Sequence, residues 1–291
     1  MTVHPDSATE SARPSLAARV KYRVARAVKR NPYTWAAIWN VLPYCRFMLP
    51  HDRSYFGFRH LATGDEGLFL DIGANNGMSA AGFRILNDRY AILSIEANEL
   101  HAPSLERLKR RLPRFDFKIL AAGRERGSLE FVTPSFRGIA LHAFTSTNRH
   151  FLDLALERDF SPFVRQRLDY IDHRADVAPL DDLDLAPSIV KIDVEGFDLE
   201  VLAGLERTVV RHRPVVHIEY TPNEMTELDD FCARHGYARF VYDGEEDVFL
   251  AFDRKREDER WRAGGLQVNL FCVPEERAGE LPTADSPPPK T

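Results

Sequence analysis

The stretch LFLDIGANNG, Leu68 to Gly77, constrains the fold more than any other part of this 291-residue chain. Leu68, Phe69 and Leu70 form an apolar run too short for a helix, and Asp71, Gly73 and Gly77 follow at once, the pattern of a buried parallel strand that ends in a tight turn. Met78, Ala81, Gly82, Ile85 and Leu86 then recur at helical spacing, so the turn opens a helix. Glycines at such a helix start let backbone N–H groups face a ligand closely, which is a nucleotide-site geometry. The spacing is not the G-x-G-x-x-G of dinucleotide binders, because Asn75 stands where the second glycine belongs, and no Gly-Lys-Ser/Thr follows to make a P-loop.

From Leu68 onward strands and helices alternate, which predicts an α/β fold with a parallel sheet. Strands are expected at Ala91 to Glu96, Phe115 to Leu120, Ile189 to Val194 and Pro214 to Tyr220, and an added strand at Ser128 to Thr133. Helices are expected over Leu100 to Leu112, Leu199 to Leu205 and Met225 to Cys232. Residues 134–178 carry the weakest pattern, with a short helix around Leu152 to Leu156 and an extended segment at Leu168 to Ala178, and read as a substrate-binding insertion. Ala238 to Tyr242 and Leu266 to Val273 read as a closing antiparallel pair, joined by a charged connection without a helix of its own. The domain reading is therefore an N-terminal basic segment over 1–52, a main domain over 53–275 that includes the insertion, and a structureless tail over 276–291.

With 44% hydrophobic residues the chain can bury a full core. A net charge of −5 argues against a general nucleic-acid binder. Cys45, Cys232 and Cys272 are widely spaced and lack a C-x-x-C pair, so neither a disulfide framework nor a zinc site is indicated, and a cytoplasmic location is expected. The first thirty residues lack the apolar core of a secretory signal, and the stretch from Thr34 to Pro50 is too interrupted to span a bilayer. Leu16, Val20, Val24, Ala27 and Val28 share one helical face opposite Arg19, Lys21, Arg23, Arg26, Lys29 and Arg30. That helix either docks on the domain's own surface, the commoner use, or gives residues 15–50 a peripheral contact with the inner membrane surface, with Trp35 and Trp39 as anchors.

Carboxylates gather where the predicted strands end. Glu96 closes the second strand at the position where an acid can accept both hydroxyls of a ribose. In KIDVEG, strand alternation puts Lys191, Asp193 and Glu195 on one side, the last two at the carboxyl end where α/β sheets hold ligands. Charges on so apolar a strand are costly without a site to serve, although Lys191 could simply pair with one carboxylate. Glu219 repeats the arrangement on the next strand, while His217, further down, reads as a core histidine. Asp71, Glu96, Asp193 and Glu219 would then converge on one rim.

Four ordered blocks, DIGANNG, SIEAN, the LDDL of Leu180 to Leu183, and KIDVEGFDLEVLAGL with HIEY after it, resemble the FkbM family of class I methyltransferases. The resemblance spans about residues 55 to 245. It implies a Rossmann-like, mostly parallel seven-stranded sheet flanked by helices with the last strand antiparallel, and S-adenosyl-L-methionine as cofactor. It also implies transfer to a hydroxyl of a small-molecule, sugar, glycan or natural-product acceptor. Asp71, Gly73, Asn75, Asn76, Gly77, Glu96, Asn98 and Ala122 would line the cofactor site, with Asp193, Glu195 and Glu219 as candidate base or acceptor clamp. The chain departs from the family where Glu96-Ala97-Asn98 replaces E-P-N and where Asp198 replaces a glutamate, changes expected to keep a carboxylate at the rim. No acid follows the third strand to meet an adenine amino group, so backbone groups around Ala122 would supply that contact. A metal held by Asp193 and Glu219 lacks an evident third ligand, and no metal is expected. Two rival readings are a nicotinamide oxidoreductase, which would want the missing middle glycine, and a non-catalytic membrane or assembly module using residues 15–50.

Overall fold

The computed structural model describes residues 31–34, 50, 52–62, 64–194, 196–222, 225–262 and 268–283. The basic helix expected over residues 15–30, the aromatic segment after it, and Glu195 lie outside the described residues. In chain order a 3-10 turn at Arg53–Gly57 leads into α1 (Phe58–Leu61), β1 (Leu68–Ile72), α2 (Met78–Leu86), β2 (Ala91–Glu96), α3 (Ala102–Lys109), β3 (Phe115–Ile119) and β4 (Ala121–Ala122). There follow β5 (Gly127–Phe136), β6 (Ile139–Ala140), α4 (Arg149–Asp159), α5 (Pro162–Arg165), β7 (Leu168–Ala178) and β8 (Ile189–Ile192). The chain then forms α6 (Asp198–Ala203), α7 (Glu206–His212), β9 (Val215–Glu219), α8 (Met225–His235) and β10 (Tyr237–Asp243), and closes with β11 (Val248–Ala251), α9 (Arg254–Arg262), β12 (Asn269–Pro274) and α10 (Glu275–Ala278).

Two compact units divide the chain. One holds the described residues of 40–130 and 173–291, and the other those of 1–39 and 131–172. The larger unit is built on an eight-stranded sheet in the order β11-β10-β12-β9-β8-β1-β2-β3. β3, β2, β1, β8 and β9 run parallel, β12 is antiparallel to both β9 and β10, and β11 pairs antiparallel with β10. The sheet is thus the expected Rossmann-like, mostly parallel arrangement, with one edge strand more than the seven anticipated. Alternation on β1 sends Phe69 to one face and Leu70 and Ile72 to the other. On the first face Phe69 stacks on Phe83 of α2 at 3.9 Å between centroids, beside Phe58, Ile92 and Phe271. On the second face Val190, Ile192, Val216 and Ile218 pack under Val201, Leu202, Val209 and Leu228. In the smaller unit, Leu152 and Leu156 of α4 close a core with Phe136, Leu141, Phe160 and Val164, and β5 and β6 pair through Ser135 and Ala140.

The region after β9 corrects the sequence reading. The connection between β10 and β12 contains both a strand and a nine-residue helix, α9. Its sequence RKREDERWR has no apolar stripe, so periodicity could not reveal it. Within it the fully buried Glu257 accepts from Arg256 at 2.6 Å and Arg260 at 3.2 Å on the same helix, and Asp258 ties it to the residue after β9 by accepting the Tyr220 hydroxyl. The expected tail also begins too early. Residues 275–278 form α10, Leu281 is buried, and the Phe249 amide donates to the Pro282 carbonyl at 2.7 Å. At the other end the fold includes Asp52, one residue before the expected boundary, because its side chain accepts from the Ser54 amide at 2.7 Å and from the Asn269 amide group. No helix among the described residues is long and apolar enough to cross a membrane.

The LDDL block has a structural explanation. Leu180 is fully buried, and the Asp181 carboxylate accepts from the Arg207 amide at 3.0 Å, the Thr208 amide at 2.8 Å and the Thr208 hydroxyl at 2.7 Å. It caps the amino end of α7 from a distant segment, since Leu205 in the local capping position offers no polar side chain. Asp181→Ala should lower the unfolding free energy by about 1–2 kcal/mol in urea denaturation, whereas the same change at the exposed Asp184 should cost little.

Candidate active site

The sheet order reverses at β1, which lies between β2 and β8. Open α/β sheets hold ligands at such a reversal, outside the carboxyl ends of the strands. The turn after β1 stands there. Gly73 has φ +76°, Asn75 +51° and Gly77 +89°, and the amides of Gly73 and Ala74 both donate to the Ile95 carbonyl, at 3.0 and 3.2 Å. The glycines meet protein rather than leave room. A Cβ on Gly73 would sit 1.9 Å from the Asp193 carbonyl, and one on Gly77 would sit 2.5 Å from the Leu108 side chain. The sequence reading of these two positions as space for a close ligand is therefore corrected: Gly73 lets the β1 turn and the chain after β8 touch.

Beneath the turn a buried polar row crosses the sheet. In register lie Ser94 of β2, Asp71 of β1, Lys191 of β8 and His217 of β9. All four are buried. Asp71 Oδ2 accepts from the hydroxyls of Ser79 and Ser94, each at 2.7 Å, and its Oδ1 lies 3.5 Å from Lys191 Nζ. Asp71 is 0% exposed. It supports the rim from below and cannot meet a ligand directly, which corrects its expected place on the rim. Lys191 Nζ also donates to the Gly73 and Ile72 carbonyls at 3.1 and 3.3 Å and lies 3.3 Å from Asp193 Oδ2. Burial works against its charge, but Asp193 and Asp71 together outweigh that and raise its pKa above the ordinary lysine value. The ion pair that sequence allowed for Lys191 is present, with two carboxylates.

His217 is the core histidine expected. Its Nε2 lies 3.0 Å from the Ser54 hydroxyl, and its ring packs on Phe271, Phe58 and Tyr55.

One register step nearer the carboxyl ends come the groups that a ligand could reach. Glu96, 9% exposed, accepts the Asn75 amide on Oε2 at 2.6 Å and the Asn98 amide on Oε1 at 2.8 Å. Burial raises its pKa above the usual glutamate value, with those two amides and Lys191 opposing. Asn98 caps the next turn through the Leu100 amide at 3.0 Å, and Asn76 is buried. Asn75 Oδ1 is buried without a hydrogen-bond partner among the described residues. The Asp193 side chain is 45% exposed. Glu219, partly exposed at the end of β9, faces Asn269 in register, and Asn269 is the residue that binds Asp52. Ala122 lies in β4 and pairs with Ala178. Asp198 is not on the rim, contrary to expectation. It is buried and accepts the Val194 amide at 3.3 Å, bracing the loop that leads from β8 into α6. The residues that sequence reasoning left out are Ser79, Ser94, Asp52, Ser54 and Asn269. Ser94 alone carried a signal, two positions before Glu96 on the same strand face. Among the described residues no group of three or more acids, histidines or cysteines could hold a metal ion.

The family profile of the methyltransferase FkbM domain matches residues 71–238, more than half the chain. No curated protein sequence matches it. Among solved structures, the FkbM methyltransferase of Methylobacillus flagellatus KT is similar at 18% identity and a TM-score of 0.47. The match covers 88% of this chain and 60% of that one, so this chain spans less than two thirds of that relative. A precorrin-6Y C5,15-methyltransferase of Geobacter metallireducens GS-15 has 15% identity and a TM-score of 0.39 over 76% and 86% of the two chains. A putative O-methyltransferase of Klebsiella pneumoniae has 13% identity and a TM-score of 0.38 over 81% and 88%.

The contact beneath Gly73 has a measurable consequence. Gly73→Ala adds both a strained positive φ and a clash with fixed backbone, so it should destabilise the protein by about 2 kcal/mol or more. Gly77→Ala, which meets only the movable end of Leu108, should cost about half as much. Equilibrium denaturation of the two variants checks the order.

Proposed function

The chain belongs to the FkbM methyltransferase domain family, and from that premise we propose that it uses S-adenosyl-L-methionine to methylate a hydroxyl on a sugar, glycan or natural-product acceptor. The observation that carries the reading is the pinned carboxylate of Glu96 at the reversal point of the sheet. Backbone amides from the β1 turn and from Asn98 fix its two oxygens, and each oxygen keeps a lone pair for a ribose hydroxyl. Asn75 Oδ1, on the residue whose amide Glu96 holds, is a buried acceptor without a partner among the described residues that a bound donor would satisfy. These residues fit the cofactor.

When bound, S-adenosylmethionine supplies an activated methyl group on a positively charged sulfur. The surroundings suit that charge, because Asp71, Glu96 and Asp193 face a single ammonium, Lys191. What the chain must add is alignment of the acceptor and a place for its proton. Asp193 and Glu219, at the ends of adjacent strands β8 and β9, are partly exposed carboxylates among the described residues of this edge and take the roles of clamp and base. Glu195 stays a candidate beside them by sequence.

Two outcomes test the reading. Glu96→Gln should weaken S-adenosylmethionine binding roughly ten- to hundredfold by calorimetry. In the wild type the affinity should fall on acidification as Glu96 takes up a proton, with a midpoint above the ordinary glutamate value, and this pH dependence should vanish in the variant. With an acceptor identified by its gain of one methyl in mass spectrometry, Asp193→Asn should keep cofactor affinity within a few fold and lower turnover by roughly 10²-fold or more. Unchanged turnover would move the role to Glu219.

A further inference from the structure

We propose that Lys191 is a positioning residue that ties the cofactor turn to the acceptor-side carboxylate, so that the two halves of the site move as one body. The inference rests on the methyltransferase reading for its purpose, and on geometry for its content. Four oxygens surround one ammonium: the Gly73 carbonyl at 3.1 Å, the Ile72 carbonyl and Asp193 Oδ2 at 3.3 Å, and Asp71 Oδ1 at 3.5 Å. An ammonium has three N–H donors, so these acceptors share them and none of the four can shift without disturbing the rest. The partners differ in their own freedom. Asp71 is fixed by Ser79 and Ser94 and is fully buried, and the two carbonyls belong to the last residue of β1 and the first of the turn. Asp193 alone is half-exposed, and Lys191 Nζ joins its side chain to the turn at 3.3 Å.

A second link joins the same two segments by backbone. The Asp193 amide donates to the Ile72 carbonyl at 3.2 Å, and the Gly73 Cα lies against the Asp193 carbonyl. The turn after β1 and the residues after β8 are therefore contiguous, with Lys191 as their shared charge. Ground-state structure alone would have been served by an apolar residue at 191 with a neutral residue at 71, since a buried ion pair is rarely the cheapest way to fill a core. A cation reaching both sides of the reversal point gives alignment instead, and a small misplacement of an acceptor clamp is costly in rate.

Lys191→Met alone strands the buried Asp71 charge and risks unfolding. The informative variant is Lys191→Met with Asp71→Asn, which removes one charge of each sign. In the full-length protein without cofactor, hydrogen exchange at the Gly73 and Asp193 amides should quicken roughly tenfold or more. Amides of β9 and β12 should be unchanged. Uniform quickening, or none, would overturn the tether and leave Lys191 a plain core ion pair. Calorimetry with S-adenosylmethionine then separates the tether from the function. If the wild type binds, the double variant should bind roughly tenfold more weakly while Lys191→Arg keeps affinity closer to wild type. Unchanged affinity in the double variant, or an equal loss in Lys191→Arg, would overturn the positioning role. If the wild type does not bind, the cofactor reading falls, while the exchange result still decides the tether.

Discussion

A lysine ammonium buried between two carboxylates under a backbone turn is the interaction on which the site depends. Each charge is affordable only because the others are present: Asp71 needs Lys191 and two serine hydroxyls, and Lys191 needs Asp71 and Asp193 against the cost of its burial. The row they form sits directly below the point where the strand order reverses. The conformation of the β1 turn above them is thus set by polar chemistry inside the sheet as much as by its glycines.

That dependence also explains how the site divides labour among acids. Asp71 and Asp198 are both buried and both spent on holding backbone or side chains in place. Glu96 stands between the two classes, because its oxygens brace the turn while the residue keeps slight exposure at the carboxyl end of β2. Asp193 and Glu219, by contrast, are partly exposed. Burial thus separates acids that look alike in the sequence: two are enclosed in the fold, one braces the turn, and two reach the surface at strand ends.

The parallel core was legible because its signals are local. Apolar runs, turn glycines and alternation located β1, β2 and β8, and even β7 in the weakly patterned middle was placed at Leu168 to Ala178. The misses share a physical cause: they are elements whose support comes from far along the chain. α9 is tied back through Asp258 to the distant Tyr220 hydroxyl, α7 is capped by Asp181, and residues 281–283 are held by burial of Leu281 and by the contacts of Pro282 and Thr283 with Phe249. The site was legible to the level of residue types at strand ends. Which acids face a ligand depends on side-chain burial, and a one-dimensional pattern carries no record of it.

The contact between Phe249 and Pro282 acts on the outside of the molecule as well. β11 ends the sheet, and an open end strand offers its backbone groups to any neighbouring extended chain. Here the Phe249 amide is taken by the Pro282 carbonyl, and Thr283 bridges to the same residue. A proline so placed has no N–H with which to extend the ladder outward. At the opposite end β3 shows the charged side chains of Asp116 and Lys118. One margin of the sheet thus carries a bridge to residues further along its own chain, and the other presents charge, both features that discourage addition of a foreign strand.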